Sequence, residues 1–143
     1  GGAYGGTIAG TVEYTDYTQM EFRNATNDLL GLNTDIKEIY RPTVNIRLGG
    51  EARIPQSDFF VRIGFILLPS PYEGDPGSFD RQYYTGGVGF RVENSVGFDL
   101  AYARGSWESF RWIYGDDNTG TATYTTLEKI TSHNFKGTVS VRF

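Results

Sequence analysis

Residues 40–54 read YRPTVNIRLGGEARI, the longest uninterrupted alternating run in the chain. Tyr40, Pro42, Val44, Ile46, Leu48, Gly50, Ala52 and Ile54 are apolar or small, whereas Arg41, Thr43, Asn45, Arg47, Glu51 and Arg53 on the odd positions are polar. Successive side chains of a strand point to opposite faces, so this run predicts one long strand with an apolar face and a charged face. Strands of soluble proteins usually stop at about five or six residues. The fold therefore turns on which face meets water and what covers the other.

The same pattern recurs outward from this run. Downstream, Pro55 to Asp58 has turn chemistry, and Phe59 to Leu68 returns with Phe59, Val61, Ile63, Phe65 and Leu67 on the apolar side and Arg62 opposite. Upstream, Thr7 to Phe22 places Ile8, Gly10, Val12, Tyr14, Met20 and Phe22 on one face together with Asp16 and Thr18, and Glu13 on the other. Arg81 to Val92 and Val96 to Trp107 alternate again, with Tyr84, Val88 and Phe90, then Phe98, Leu100 and Tyr102, on the apolar side. Arg91 and Asp99 lie opposite. The last run, Leu127 to Phe143, sets Phe135, Val139, Val141 and Phe143 against Lys136, Thr138 and Arg142. Gly1 to Tyr4 reads as the tail of a further strand, so the chain is expected to be truncated at its N-terminus.

Between these runs the pattern stops at Arg23 to Ile39, at Pro69 to Asp80 and at about Glu108 to Thr126, three long loops. Thr34 is expected to cap a single short helix in the first. Long loops alternate with the short turns after Ile54 and Val92, so all long loops leave one edge of an antiparallel meander and all short turns the other. That is the wall plan of a transmembrane β-barrel.

Composition agrees with that plan. The chain has 143 residues, a net charge of −4 and no cysteine. The acidic balance argues against a nucleic-acid partner, and the missing cysteine excludes disulfides and thiolate metal sites. No apolar run approaches the ~18 residues of a membrane helix, a test that barrel strands of about 9–11 residues escape. Nineteen glycines, ten phenylalanines and ten tyrosines suit a barrel wall. The expected lipid-facing set is Val12, Tyr14, Val44, Ile46, Leu48, Val61, Ile63, Phe65, Val88, Phe90, Phe98, Leu100, Val139, Val141 and Phe143. Tyr14, Tyr40, Tyr84 and Tyr102 toward the long loops, and Phe59, Phe90, Phe98 and Phe143 toward the short turns, form the two aromatic girdles such a wall carries. A soluble β-sandwich binding module, with its arginines solvated and its valines between two sheets, is the alternative for the same alternation.

The segments EYTDYTQMEFR (13–23), NIRLGGEARI (45–54), LLPSPYEGD (67–75), YYTGGVGFR (83–91), GFDLAYARG (97–105) and the terminal VSVRF (139–143) together resemble the outer-membrane hydrophobic-compound transporters of the FadL/TodX type. Their order matches the last strands of that family, across nearly the whole chain. The resemblance implies the C-terminal part of an outer-membrane barrel of about 14 strands, closed elsewhere by a plug. It also implies passive passage of long-chain fatty acids or aromatic hydrocarbons across the bacterial outer membrane, with membrane lipid and the N-terminal part of the same barrel as partners. A non-transporting barrel serving as a structural or secretion-associated partner is the second reading.

Little in the sequence suggests catalysis, and no enzyme activity or cofactor is expected. The single His133 has no nucleophile beside it and falls by parity on the apolar side near the long-loop rim, as an interfacial aromatic. The Gly86-Gly87-Val88-Gly89 stretch precedes no helix, so it is not a phosphate loop. Asp116, Asp117 and Asn118 lack the spacing of a calcium loop, and Asn24-Ala25-Thr26 matches a glycosylation sequon of a kind common by chance. The functional set is the charged face, expected to line a lumen: Glu13, Arg47, Glu51, Arg53, Arg62, Arg91, Asp99 and Arg142.

Overall fold

The computed structural model describes residues 5–24, 26–92, 95–114 and 124–142. The expectations for Gly1 to Tyr4, the sequon's Ala25, Asp116, Asp117, Asn118 and Phe143 lie outside the described residues. Six strands form one antiparallel sheet in chain order: β1 (Gly6–Asp16), β2 (Pro42–Arg53), β3 (Phe59–Leu68), β4 (Arg81–Val92), β5 (Val96–Tyr114) and β6 (Tyr124–Val141). The meander expected from the alternation is therefore present. Among the described residues no ladder joins β6 to β1 and no second sheet is present.

Three boundaries differ from the sequence reading. The run from Thr7 to Phe22 is not one strand, because β1 ends at Asp16. Its carboxylate accepts the Thr18 amide at 3.0 Å and the Thr18 hydroxyl at 2.6 Å, which turns the chain into a 3-10 turn at Tyr17–Gln19. The first loop holds a full helix, α1 (Asn27–Ile39), and Thr34 lies inside it while Thr26 occupies the N-cap position. Leu29, Leu32, Ile36 and Ile39 recur at helical spacing, and this periodicity prevails over the cap signal at Thr34. Asn33 fastens the helix to the preceding segment, accepting the Phe22 amide at 2.7 Å and donating to the Phe22 carbonyl at 3.1 Å.

The third difference is the loop expected from Glu108 to Thr126. The ladder instead continues from Phe110↔Leu127 to Trp112↔Thr125 and, past a bulge, Tyr114↔Tyr124. Aromatic and threonine residues of high strand propensity extend both strands, and an Arg111–Glu128 ion pair of 3.2 Å crosses between them. The hairpin thus projects about 40 Å along the strand beyond Tyr102.

Register is continuous across the sheet, so one row runs Ile8, Gly50, Ile63, Gly86, Tyr102, Phe135 and the next runs Gly10, Leu48, Phe65, Tyr84, Arg104, His133. The turn after β2 is tight, with Gln56 in the left-handed region at φ 58° and the Ile54 amide donating to the Phe59 carbonyl at 2.9 Å. Tyr40 stands outside β2 and makes an isolated bridge to Tyr72, their rings 5.1 Å apart.

Candidate functional site

The two faces of the sheet differ in chemistry as the alternation requires. Neither face is covered by another layer among the described residues. No apolar side chain is buried among the described residues, and Ile8 is 92% exposed, Phe135 82% and Ile63 75%. Each of the expected lipid-facing residues that is described lies on this apolar face by register.

The opposite face gathers the charges. From β3, Arg62 reaches β2 on one side and, across β4, β5 on the other: its Nε is 2.5 Å from Glu51 Oε2, and its Nη1 contacts the Asp99 carboxylate. These three side chains are only 34–38% exposed. Arg47 pairs with Glu13 at 2.9 Å. Gly89 makes the Arg62–Asp99 contact possible, since a Cβ there would fall on the Asp99 carboxylate and 3.2 Å from Arg62 Nη1. Gly89→Ala is accordingly expected to cost about 1–3 kcal/mol through overpacking, measured by denaturant unfolding against Gly77→Ala, whose Cβ meets nothing.

The remaining residues of the charged set are placed differently. Arg53 and Arg91 both lie over the ring of Phe60, at 5.9 and 4.8 Å, and Arg53 also pairs with Asp58 at 2.9 Å. Arg142 follows β6 directly and lines a small hollow of about 110 Å³ with Arg91 and Asp99. Sequence reasoning missed the aromatic part of this face. Arg81 stacks on Trp107 at 5.3 Å, Tyr83 packs beside Trp107 at 6.1 Å, and the Tyr83 ring lies over Gly105 where a Cβ would clash. The signal available was parity, which already put Phe60, Tyr83 and Trp107 among the polar positions.

At the long-loop end of the charged face these groups border a cleft of about 420 Å³, lined among others by Arg47, Arg81, Trp107, Phe79 and Tyr17. Its loop wall is held by Ser70, which is buried, donates its amide to Asp80 at 2.9 Å and its hydroxyl to Asp75 at 2.5 Å, and offers its carbonyl to Arg41 Nε at 3.1 Å. Tyr40, beside it, pushes the Tyr72 phenol above its ordinary value by hydrogen bonding and charge, with burial and Asp75 adding to the effect. On the rim, the Asp16 carboxylate is held below its ordinary value by the Thr18 and Gln19 side chains. A depressed carboxylate stabilises the fold above its unfolded value near 3.8 and loses that contribution as the pH falls through the lowered one. Acidification through that range is expected to lower the protection of the Thr18 amide relative to its intrinsic exchange rate at each pH, and Asp16→Asn should remove this change in protection, as hydrogen exchange followed by NMR would show.

No protein-family profile, curated protein or solved structure matches this chain. What the sheet does must therefore be read from its own geometry, and the apolar border is informative. On β1 and β2 the apolar positions reach up to the pair Tyr14 and Val44, on β3 to Leu67, on β4 to Tyr84, and on β5 and β6 only to Tyr102 and Phe135. The border thus descends three two-residue steps over five strand spacings, about 20 Å against about 24 Å. It crosses the ladder obliquely at about 40°. Tyr14, Tyr84 and Tyr102 follow this slope. At the other end Phe59, Phe90 and Phe98 form one row, with ring centroids 5.6 and 5.0 Å apart. Tyr40, expected in the upper girdle, stacks on Tyr72 in the loops instead, because the chain leaves the ladder before reaching it.

Proposed function

We propose that this chain forms part of the wall of a bacterial outer-membrane β-barrel through which hydrophobic compounds, long-chain fatty acids or aromatic hydrocarbons, pass by diffusion. The observation that carries the reading is the uncovered apolar face: Ile8, Phe135 and Ile63 are 92%, 82% and 75% exposed, while the Glu51–Arg62–Asp99 cluster on the opposite face is half-sheltered. In water that arrangement wastes every apolar contact; in lipid it is the stable one. An oblique border supports it, since barrel strands tilt by about 35–45° and a horizontal bilayer boundary then cuts the ladder at that angle. The free edges of β1 and β6 must be paired in a bilayer, and eight strands is the usual lower bound for closure. Further strands, of this protein or of another copy, complete the wall.

On this reading the charged face lines the lumen, and its ion pairs hold the inner surface. Hydrophobic cargo enters at the cleft where Trp107, Phe79 and Tyr17 alternate with Arg47 and Arg81. Passage needs no chemical step and no cofactor. The test has two parts. The protein is expected in the membrane fraction after a carbonate wash and soluble only with detergent; a monomer stable in plain buffer would end the membrane reading. Cells carrying the protein should take up labelled fatty acid or aromatic hydrocarbon faster than cells lacking it. Arg47→Ala with Arg62→Ala should change that rate, whereas equal uptake with and without the protein would favour the non-transporting barrel.

A further inference from the structure

The apolar face holds one feature that a plain lipid-facing wall does not require. At its upper border on β4, β5 and β6 the row Tyr84, Arg104, His133 lies directly above the row Gly86, Tyr102, Phe135 and then Val88, Leu100, Gly137. Arg104 is exposed and has no carboxylate partner among the described residues, whereas the next charged pair above it, Glu108 and Lys129, is matched across the ladder. Tyr102 Oη is 2.7 Å from His133 Nδ1. With the phenol donating there, the imidazole proton sits on Nε2, which has no partner among the described residues.

Below this polar row the two glycines open a hollow of about 450 Å³, walled by Leu100, Tyr102 and Phe135. Neither glycine is forced by its surroundings. A Cβ at Gly86 would approach nothing nearer than the Arg62 carbonyl at 4.0 Å, and one at Gly137 would meet Leu100 at 3.6 Å, an ordinary contact. The missing side chains therefore leave space on the outward side rather than relieving a clash within the sheet. Tyr102 joins the two parts, bonding His133 above and packing on Phe135 at 4.9 Å beside the hollow.

We propose that this face binds a phosphate-bearing membrane lipid, its headgroup held by Arg104 and His133 and one acyl chain laid in the hollow over Gly86 and Gly137. The inference rests on the membrane reading above. Charge complementarity selects the occupant: an arginine at the apolar border, beside a ring donor and above an apolar trough, matches a molecule with an anionic phosphate at one end and hydrocarbon at the other. A free phosphate would leave the trough unused, and an uncharged lipid would leave the guanidinium without a counter-charge.

The test uses the full protein, extracted from its membrane in mild detergent, stripped of lipid and titrated with dioleoyl phosphatidylglycerol, with dioleoylglycerol and with inorganic phosphate, binding being read by native mass spectrometry. Phosphatidylglycerol is expected to bind at one site, and the other two much more weakly. Arg104→Gln with His133→Ala should weaken it about tenfold or more, the loss expected for charge-assisted hydrogen bonds. Gly86→Leu should weaken it by filling the trough, and Arg104→Lys should retain part of the affinity. Wild-type affinity in the Arg104→Gln, His133→Ala protein overturns the proposal, as does equal binding of inorganic phosphate. Membrane integration is scored separately by carbonate extraction. Variants that stay in the membrane but bind lipid normally sink this site alone, whereas wild-type protein in the aqueous fraction sinks the wall reading with it.

Discussion

Ile63→Arg is expected to destabilise the folded protein in a bilayer by about 2–4 kcal/mol. Ile63 is 75% exposed and lies midway up the apolar face on β3, paired with Gly50 and Gly86. In water an arginine at so exposed a position would cost next to nothing, because its charge stays hydrated and no packing is lost. In lipid the same charge sits near the midplane, too far from either border to reach headgroups without distorting the wall. The substitution therefore reads out the solvent of this face as well as the stability. Unfolding in denaturant from lipid vesicles, compared with Ile63→Ala and with Phe59→Arg at the short-turn border, should show the cost falling toward the edge. A flat profile near zero would mean that this face meets water.

The second large effect is expected at Arg62. Truncation to alanine leaves Glu51 and Asp99 facing each other with no cation between them, on side chains about one-third exposed. Full burial would make such a loss worth several kcal/mol, and full exposure a few tenths. At this intermediate exposure the expected cost is about 1–2 kcal/mol. Adding Glu51→Gln and Asp99→Asn to Arg62→Ala should recover most of it, since the repulsion goes with the charges. Denaturant unfolding of the single and triple variants measures this coupling, and an unchanged stability of Arg62→Ala would mean that the cluster is held by solvent alone.

Much of this architecture was legible in the chain. Alternation over residues 40–54 and its neighbours specified strand order, the two faces and even the parity of His133, because a pleated strand leaves no freedom in where successive side chains point. Helix α1 was legible in part. Leu29, Leu32, Ile36 and Ile39 carry a helical period that a search for alternation passes over. The end of β1 was legible only as a break in parity: Asp16 and Thr18 are polar on the apolar face, but Met20 and Phe22 resume it, and the Asp16 side chain's bonds to Thr18 show that the backbone has turned. The long β5–β6 hairpin was mistaken for a loop because its glycine and aspartate residues cluster beyond the strand ends.

Of the charged set, the sequence alone settled membership of one face but not who meets whom. Glu51 and Arg62 are opposed in register on neighbouring strands, and Asp99 joins them only because β4 places Gly89 between β3 and β5, a residue with no side chain to block the contact. Likewise, parity put Arg104 and His133 among apolar residues without saying that they are cross-strand neighbours or that two glycines lie beneath them. Local pattern determines periodicity, hence faces and strands. Partnership across strands depends on register and on the slope at which an apolar band crosses the ladder, and these exist only once the strands have paired.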